Sequence, residues 1–152
     1  MKQVRCVVRG VFMAMNATAT APMVLLADPA GRLLPVYIGL WEAISISSAQ
    51  SREVPPRPFT HDLFLDLTEK YAIAIDRLEI DSVEDGVYYA HLVLRSDGRT
   101  ESLDCRPSDG IAIALRAGAP VFVNGELLSE TGQEGSTAPS LVELSAFLQK
   151  TG

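Results

Sequence analysis

Residues 72–105 read AIAIDRLEIDSVEDGVYYAHLVLRSDGRTESLDC, and this stretch decides the fold. Residues 72–83, 87–95 and 100–105 are rich in β-branched and aromatic side chains, as strands are. Between them lie Glu84-Asp85-Gly86 and Ser96-Asp97-Gly98. The Asp-Gly dipeptide favours short hairpin loops because both residues tolerate a positive φ. The stretch therefore predicts an antiparallel meander of three strands.

A second group of strands is predicted upstream of the meander. Residues 3–14 are rich in valine and form one apolar run, and residues 16–22 follow as a loop. Residues 23–28 and 33–38 are two further apolar runs, and they flank Asp28-Pro29-Ala30-Gly31. Proline and glycine close together between apolar runs indicate a tight turn. The chain is therefore expected to open with three antiparallel strands.

Helices are predicted between and after these two groups of strands. Four segments have helical composition or periodicity, namely residues 39–52, 60–71, 108–117 and 141–150. In the second of them, an apolar stripe is formed by Leu63, Phe64, Leu67 and Tyr71. A small strand is expected at residues 121–123. Strands grouped apart from helices favour an α+β fold over a parallel βαβ sheet.

The length of 152 residues fits a single domain. We expect the domain proper to cover residues 1–130, and residues 131–152 to add a linker and a terminal amphipathic helix packed on the same domain. Residues 51–58, with three prolines, and the Gly- and Ser-rich residues 129–138 are predicted to be irregular. The formal net charge of −6 opposes sequence-independent phosphate binding. A polyanion ligand would therefore need a local basic patch or a bridging metal ion.

The cellular setting is predicted from what interrupts the apolar segments. No window reaches the roughly 18 to 20 apolar residues that a membrane helix needs. Arg5 and Arg9 break the first apolar run, which argues against an export signal and favours the cytoplasm. Cys6 and Cys105 are expected to be buried free thiols, and no pair of closely spaced cysteines indicates zinc.

Two segments of similar outline are the candidates for chemistry. Arg57-Pro58-Phe59-Thr60-His61-Asp62 and Arg106-Pro107-Ser108-Asp109 each place Arg-Pro before a hydroxyl residue and an aspartate, at the start of a predicted helix. Helix capping by Thr60 and Ser108, with an acidic first turn, explains part of this pattern. It leaves the two arginines unexplained. Arginines beside helix N-termini favour anions, so the two corners together predict a phosphate-binding site.

Two further side chains are candidates beside these corners. His61 suits either general acid–base work or a structural hydrogen bond, whereas His91 is interpreted as a strand residue without a special role. Glu42 is a lone carboxylate among apolar residues, and burial without a partner would be costly. It is expected to pair with Arg57 or Arg106, either for architecture or for function.

The sequence carries no established enzyme signature, such as a Walker loop or a Gly-x-Ser-x-Gly elbow. Five blocks taken together nevertheless resemble the bifunctional nuclease domain family. They are residues 34–39 with Glu42-Ala43, residues 57–63, residues 85–90, residues 106–112 and residues 119–123. The resemblance covers about residues 4 to 130. The departures are Gly110, where the family usually has alanine, and Cys105, where it often has alanine.

The resemblance implies an α+β domain that self-associates as a homo-oligomer and acts on DNA and RNA, with nucleic acid as substrate. On this hypothesis Arg57, Arg106 and Ser108 bind phosphate. The candidate catalytic residues are His61, Glu42, Asp62 and Asp109. Mg²⁺ or Mn²⁺ would be held by Glu42, Asp62, Asp104 and Asp109, since hard cations prefer oxygen ligands. Two alternatives stay open: a regulatory module that binds an anion or small molecule without catalysis, and a purely structural oligomeric protein.

Overall fold

A computed structural model describes residues 2–15, 19–131 and 140–151 of the chain. The predicted α+β class is confirmed. One eight-stranded sheet has the order β3-β2-β1-β7-β4-β5-β6, and β8 pairs with β1. The strands are β1 Gln3–Met15, β2 Thr20–Ala27, β3 Leu33–Tyr37, β4 Ala74–Glu84, β5 Val87–Ser96, β6 Arg99–Cys105, β7 Val121–Asn124 and β8 Ser140–Glu143. The helices within the described ranges are α1 Leu40–Ser51, α2 Thr60–Lys70, α3 Pro107–Ala117, α4 Gly125–Thr131 and α5 Leu144–Thr151.

Both predicted groups of strands are present. In the β2–β3 hairpin, the Gly31 N–H donates to the Asp28 carbonyl over 3.1 Å, and Gly31 has a φ of 89° that favours glycine. In the meander, Asp85 and Asp97 have positive φ, as does the glycine after each of them. These are the hairpin loops that the Asp-Gly dipeptides predict.

The two groups are not separate, because β7 joins them into one sheet. β7 pairs antiparallel with the first residues of β1 and parallel with β4. Different parts of the long strand β1 pair with different strands. Gln3 to Cys6 pair with β7, and the residues from Val7 onward pair with β2. A strand of only four residues carries too little pattern to reveal its two partners from sequence.

The C-terminal prediction needs correction. The first part of the segment expected as a helix at 141–150 belongs to strand β8, and helix α5 begins only at Leu144. Helix α4 was not predicted, and it occupies the beginning of the expected linker 129–138. Residues 132–139 of that linker lie outside the described residues. Pairing with the apolar end of β1 outweighs helical preference in residues 140–143.

The core lies between one face of the sheet and helices α1 and α3. Alternate residues of β4 and β5, such as Leu78, Ile80 and Leu92, are fully buried there together with Ile111 and Ala112 of α3. The other face of the meander is polar, because the registered partners Glu79, His91 and Asp104 share it. The N-termini of the helices on the first face lie near one edge of the core, and the candidate site is formed there.

Helix α2 does not bury the apolar stripe that its sequence contains. Leu63, Leu67 and Tyr71 are 60%, 55% and 71% exposed, whereas Phe64 packs against the core and Thr68 is buried. The predicted apolar stripe is therefore largely exposed. Helix α2 packs on α3 through other residues than these three, so Leu63, Leu67 and Tyr71 remain on the surface.

Cys6 and Cys105 are free thiols in strands, as predicted, but only Cys6 is buried and Cys105 is half-buried. Burial, followed by the nearby carboxylate of Asp28, raises the pKa of the Cys6 thiol to about 11. Burial and the charges of Asp109 and Asp104 likewise raise the pKa of Cys105 to about 11. Both are neutral at physiological pH and serve packing. Within the described ranges, none of the helices has the length and apolar character to cross a membrane.

Candidate functional site

Three helices begin around one hollow, which we call the candidate site. Its volume is about 280 Å³. Helix α1 contributes three lining residues, the start of α2 contributes three, and the start of α3 contributes two: Trp41, Glu42, Ser45, Phe59, Thr60, His61, Arg106 and Asp109. The first backbone N–H groups of a helix lack intrahelical partners and carry a partial positive charge. The helix starts therefore place partial positive charge at a hollow that also contains the carboxylates of Glu42 and Asp109.

The local sequence explains where these helices start, with a correction to the predicted caps. The N-cap residues are Phe59 and Arg106, not Thr60 and Ser108. Pro107 is the first residue of α3, a position at which the missing N–H of proline costs nothing. The carboxylate of Asp62 accepts the Phe59 N–H over 2.8 Å and so caps α2 from inside. Ser108 is consequently buried in α3 instead of capping it.

Arg106 is held by two carboxylates of the candidate site. Its Nε donates to Asp109 Oδ2 over 2.8 Å, and its Nη2 donates to Asp109 Oδ1 over 3.1 Å. Its Nη1 donates to Glu42 Oε1 over 3.2 Å, which confirms that Glu42 pairs with one of the two predicted arginines. The Arg106 side chain is still 64% exposed. A solvent-borne anion can therefore compete with the two carboxylates for it.

Asp109 is the most connected acid of the candidate site. Burial raises the pKa of its carboxyl, but the hydrogen bonds from Arg106 and His61 outweigh burial and hold that pKa below its ordinary value. Asp109 is therefore a carboxylate at neutral pH. Any ligand that draws Arg106 away would remove one cause of the lowered pKa and make this carboxylate more basic.

His61 joins α2 to both neighbouring helices. Its Nε2 lies 2.8 Å from Asp109 Oδ1 of α3, and its Nδ1 lies 2.7 Å from Ser45 Oγ of α1. Both ring nitrogens are thus occupied by side chains of the same hollow. The side chain is 13% exposed, so the ring is fixed in the wall.

Gly39, the N-cap of α1, sets the place of Glu42. A Cβ added at Gly39 would overlap the Glu42 carboxylate, which folds back over the start of its own helix. Glycine at this position allows Glu42 to reach Arg106.

The structure does not bring all the predicted site residues together. Asp62 faces away from the candidate site and pairs with Arg116 over 2.7 Å. Arg57 is exposed and does not line the hollow, and no ion pair connects it to another residue in the described part of the chain. Asp104 lies on β6 opposite His91, on the far face of the sheet. Ser108 lines a neighbouring hollow together with Arg106.

The predicted metal ligands are accordingly spread over three places. Glu42 and Asp109 share Arg106, Asp62 pairs with Arg116, and Asp104 lies on the opposite face. Across residues 2–15, 19–131 and 140–151, no three acidic, histidine or cysteine side chains are grouped so as to hold a metal ion. The residues present do not fit a metal centre made of those four carboxylates.

Sequence reasoning missed two important polar residues, Ser45 and Arg116. Ser45 is buried at 3% exposure in the middle of α1. Arg116 ends α3, and its side chain is 9% exposed. Two signals in the sequence could have indicated them. Ser45 lies within the apolar run of α1, and Arg116 lies near the end of the nearly apolar helix α3.

Aromatic side chains also flank Arg106, although the sequence does not interleave aromatic with basic residues. Trp41, 78% exposed, lines the candidate site. A second hollow of about 400 Å³, which Arg106 also lines, contains Tyr37, which is 56% exposed, and Tyr88. We call it the tyrosine hollow.

Comparison with known proteins gives a consistent result. The sequence model of the bifunctional nuclease domain matches residues 24–136. An uncharacterised protein of Mycobacterium tuberculosis is 36% identical over 126 residues, which cover 82% of this chain and 75% of that protein. Bifunctional nuclease 1 of Oryza sativa subsp. japonica is 29% identical over 120 residues, covering 77% of this chain and 36% of the rice protein. Bifunctional nuclease 2 of Arabidopsis thaliana is 27% identical over 137 residues, or 86% of this chain and 42% of that protein. This chain thus spans less than half the length of these two plant relatives.

Proposed function

The chain belongs to the bifunctional nuclease domain family, and from this premise we propose that it hydrolyses phosphodiester bonds of DNA, RNA or both at the candidate site. One observation carries the proposal: an exposed arginine, Arg106, is held at the meeting point of three helix N-termini beside two carboxylates. Phosphate is the anion that such a combination of guanidinium and backbone N–H groups suits best.

The proposed chemistry begins with competition for Arg106. A substrate phosphate takes the guanidinium from Asp109, and the released carboxylate becomes more basic because the hydrogen bond from Arg106 is one cause of its lowered pKa. Asp109 then accepts a proton from a water molecule, whose oxygen forms the new bond to phosphorus. The bond to the leaving oxygen breaks, and that oxygen takes a proton from solvent. His61 keeps Asp109 oriented through Nε2, and Glu42 holds the other side of Arg106.

The remaining predicted residues have peripheral parts in this proposal. Arg57 precedes the wall residue Phe59 by two positions and is exposed, so we assign it to a flanking phosphate. Ser108 stays beside Arg106 in the tyrosine hollow. Asp62 acts from behind the site through Arg116. Mg²⁺ or Mn²⁺ remains a proposed cofactor without a protein-built site, and no step above depends on it.

The substrate is proposed to be nucleic acid and not a small phosphate ester. Exposed aromatic side chains lie in the two hollows that Arg106 lines, Trp41 in the candidate site and Tyr37 in the tyrosine hollow. Bases on both sides of a bound phosphate could stack on them, and base–aromatic stacking contributes about 1–3 kcal/mol per base.

A cleavage assay with a matched control tests the proposal. Fluorescent single-stranded DNA and RNA oligonucleotides of one sequence would be incubated with the wild type, R106A or R99A, with Mg²⁺, with Mn²⁺ and with EDTA. Arg99 is the control because it is also exposed and ion-paired, with Glu101 at 2.9 Å, but lies on β6 outside the candidate site. We expect R106A to lower kcat/KM by about 10²-fold or more and R99A to change it little. Equal rates for R106A and the wild type would overturn the proposal.

A non-catalytic anion-binding module is the second candidate. Two carboxylates already neutralise Arg106, and this observation favours the second candidate. A bound anion would then replace a carboxylate at Arg106, and no covalent bond would form or break. Inorganic phosphate or a mononucleotide that raises Tm, with no cleavage under any metal condition, would support this candidate over the nuclease.

We also propose that the chain acts as a homo-oligomer in the cytoplasm. The exposed residues Leu63, Leu67 and Tyr71, which we call the α2 stripe, lie four residues apart and therefore on one side of the helix. Such a line is self-complementary across a two-fold axis, and apolar patches of this kind are typical of interfaces. The unpaired thiols of Cys6 and Cys105 fit a reducing compartment.

A further inference from the structure

Arg116 lies behind the candidate site and contacts all three of its helices. Its Nε donates to Asp62 Oδ1 of α2 over 2.7 Å, and its Nη1 donates to the Ala112 carbonyl of α3 over 3.0 Å. Its Nη2 donates to Ser45 of α1, over 3.1 Å to Oγ and over 3.2 Å to the carbonyl oxygen. Its Cζ stands 5.8 Å from the centre of the Phe59 ring. A buried guanidinium that donates four hydrogen bonds leaves little freedom to the groups that it contacts.

The hydrogen bond from Arg116 restricts what Ser45 can do. A guanidinium only donates, so Ser45 Oγ accepts from Arg116 and still has one hydrogen to donate. Ser45 is 3% exposed, and the nearest partner in place is His61 Nδ1 at 2.7 Å. The economical arrangement is therefore that Ser45 O–H donates to His61 Nδ1, which must then be unprotonated.

The other side of the ring agrees with this assignment. His61 Nε2 lies 2.8 Å from Asp109 Oδ1, which is a carboxylate held by Arg106 and can only accept. The ring therefore carries its proton on Nε2 and donates it to Asp109. If the only proton were on Nδ1, the lone pair of Nε2 would face the Asp109 carboxylate, which is unfavourable. If both nitrogens were protonated, Nδ1 could not accept the hydrogen of the Ser45 hydroxyl.

We propose that Arg116 is a positioning residue, which acts through Ser45 to fix His61 as the neutral Nε2–H tautomer facing Asp109. The catalytic meaning of this inference rests on the proposed function, because Asp109 is the proposed base. The tautomer itself is a property of the protein and can be measured without any substrate. His61 is on this account a fixed donor that orients the base and not the proton carrier.

Nitrogen NMR of the histidine rings tests the proposal directly. The chain has two histidines, so a protein labelled with ¹⁵N in its histidine rings gives two pairs of ring-nitrogen signals, and His91 serves as the internal control. At pH 7 we expect His61 to show a protonated Nε2 and an unprotonated Nδ1. S45A removes only the hydroxyl oxygen, and R116K keeps the charge but not the forked geometry. Both should mix the His61 tautomers or protonate both nitrogens while the His91 signals stay unchanged.

The outcomes separate this proposal from the proposed function. A wild-type His61 protonated on both nitrogens or on Nδ1 alone overturns the positioning role, as does a spectrum that S45A leaves unchanged. If the predicted spectra appear and the wild type cleaves oligonucleotides, S45A should lower kcat by about tenfold or more with KM nearly unchanged. If the predicted spectra appear and no oligonucleotide is cleaved under any metal condition, the positioning role is supported and the nuclease proposal fails.

Discussion

Arg106 and Asp109, three residues apart at the start of α3, form a forked ion pair with Nε–Oδ2 at 2.8 Å and Nη2–Oδ1 at 3.1 Å. The group best suited to bind phosphate is thus occupied by a carboxylate of its own helix. In the proposed function a substrate phosphate displaces this carboxylate, and the displacement links substrate binding to the basicity of Asp109.

The first prediction separates binding from catalysis. Asp109→Asn keeps the shape of the side chain but removes the charge that competes for Arg106. We expect inorganic phosphate to bind several-fold more tightly, on the order of tenfold, while oligonucleotide cleavage is lost. Isothermal titration and the cleavage assay measure the two effects. Asp104→Asn, on the far face of the sheet, is the control and should change neither. Unchanged or weaker phosphate binding in D109N would count against the competition.

The second prediction concerns the α2 stripe. The wild type should have a solution mass at least twice the 16.4 kDa of one chain when measured by light scattering after gel filtration. Leu67→Glu places a charge at the centre of the stripe and should give a monomer. Val87→Glu changes a residue of similar exposure on the β4–β5 hairpin and should leave the mass unchanged. A wild type that is monomeric at micromolar concentration rules out this interface.

The third prediction concerns the two departures from the family pattern, which lie against each other. A Cβ added at Gly110 would come within 3.1 Å of Cys105 Sγ and would also overlap Leu78. Gly110→Ala should therefore lower the free energy of unfolding by about 1–3 kcal/mol, and it should cost less in the background of Cys105→Ala. Chemical denaturation of the four proteins gives the coupling, expected at about 0.5 kcal/mol or more. Strict additivity would show that the two positions do not compensate.

The fourth prediction concerns stability in acid. Burial raises the pKa of the Asp28 carboxyl, but the hydrogen bonds and the charge of Arg32 outweigh it and lower this pKa below its ordinary value. The stabilising contribution of Asp28 is therefore complete above the ordinary carboxyl pKa of about 4, and it is lost as the pH falls through the lower folded-state value. Asp28→Asn should be less stable at pH 7, by about 1–3 kcal/mol. In denaturation curves, the difference in the free energy of unfolding between the wild type and Asp28→Asn should become smaller below pH 4. A difference that does not vary with pH would contradict the lowered pKa of Asp28.

The sequence predicted those parts of the fold that depend on neighbouring residues. The meander followed from its two Asp-Gly turns, and helices α1 to α3 were found to within about two residues of their ends. The eight-stranded sheet could not be predicted, because β7 has only four residues and its partners β1 and β4 are far away in the chain. The exposure of the α2 stripe could not be predicted, because periodicity shows that an apolar face exists but not what covers it.

The candidate site was predicted in part for the same reason. Arg106, Asp109, His61 and Glu42 were proposed from their motifs, and they meet in one hollow. Arg57 and Asp62 belong to the same short motif as His61 but do not line the hollow. Asp62 points elsewhere because successive helix positions turn by about 100°, and Arg57 lies before the N-cap of the helix. Arg116 was missed because its partners Ser45 and Asp62 become its neighbours only in the folded chain.

We propose that nucleic acid is cleaved at the hollow that Arg106 and His61 line together. The most direct measurement compares the wild type with the double variant Arg106→Ala, His61→Ala, purified identically, in single-turnover cleavage of a fluorescent single-stranded oligonucleotide. We expect measurable cleavage by the wild type and none above the buffer rate by the double variant, with both proteins folded by circular dichroism. Cleavage that persists unchanged in the double variant would place the activity at another site or in a contaminant, and would contradict catalysis at the candidate site.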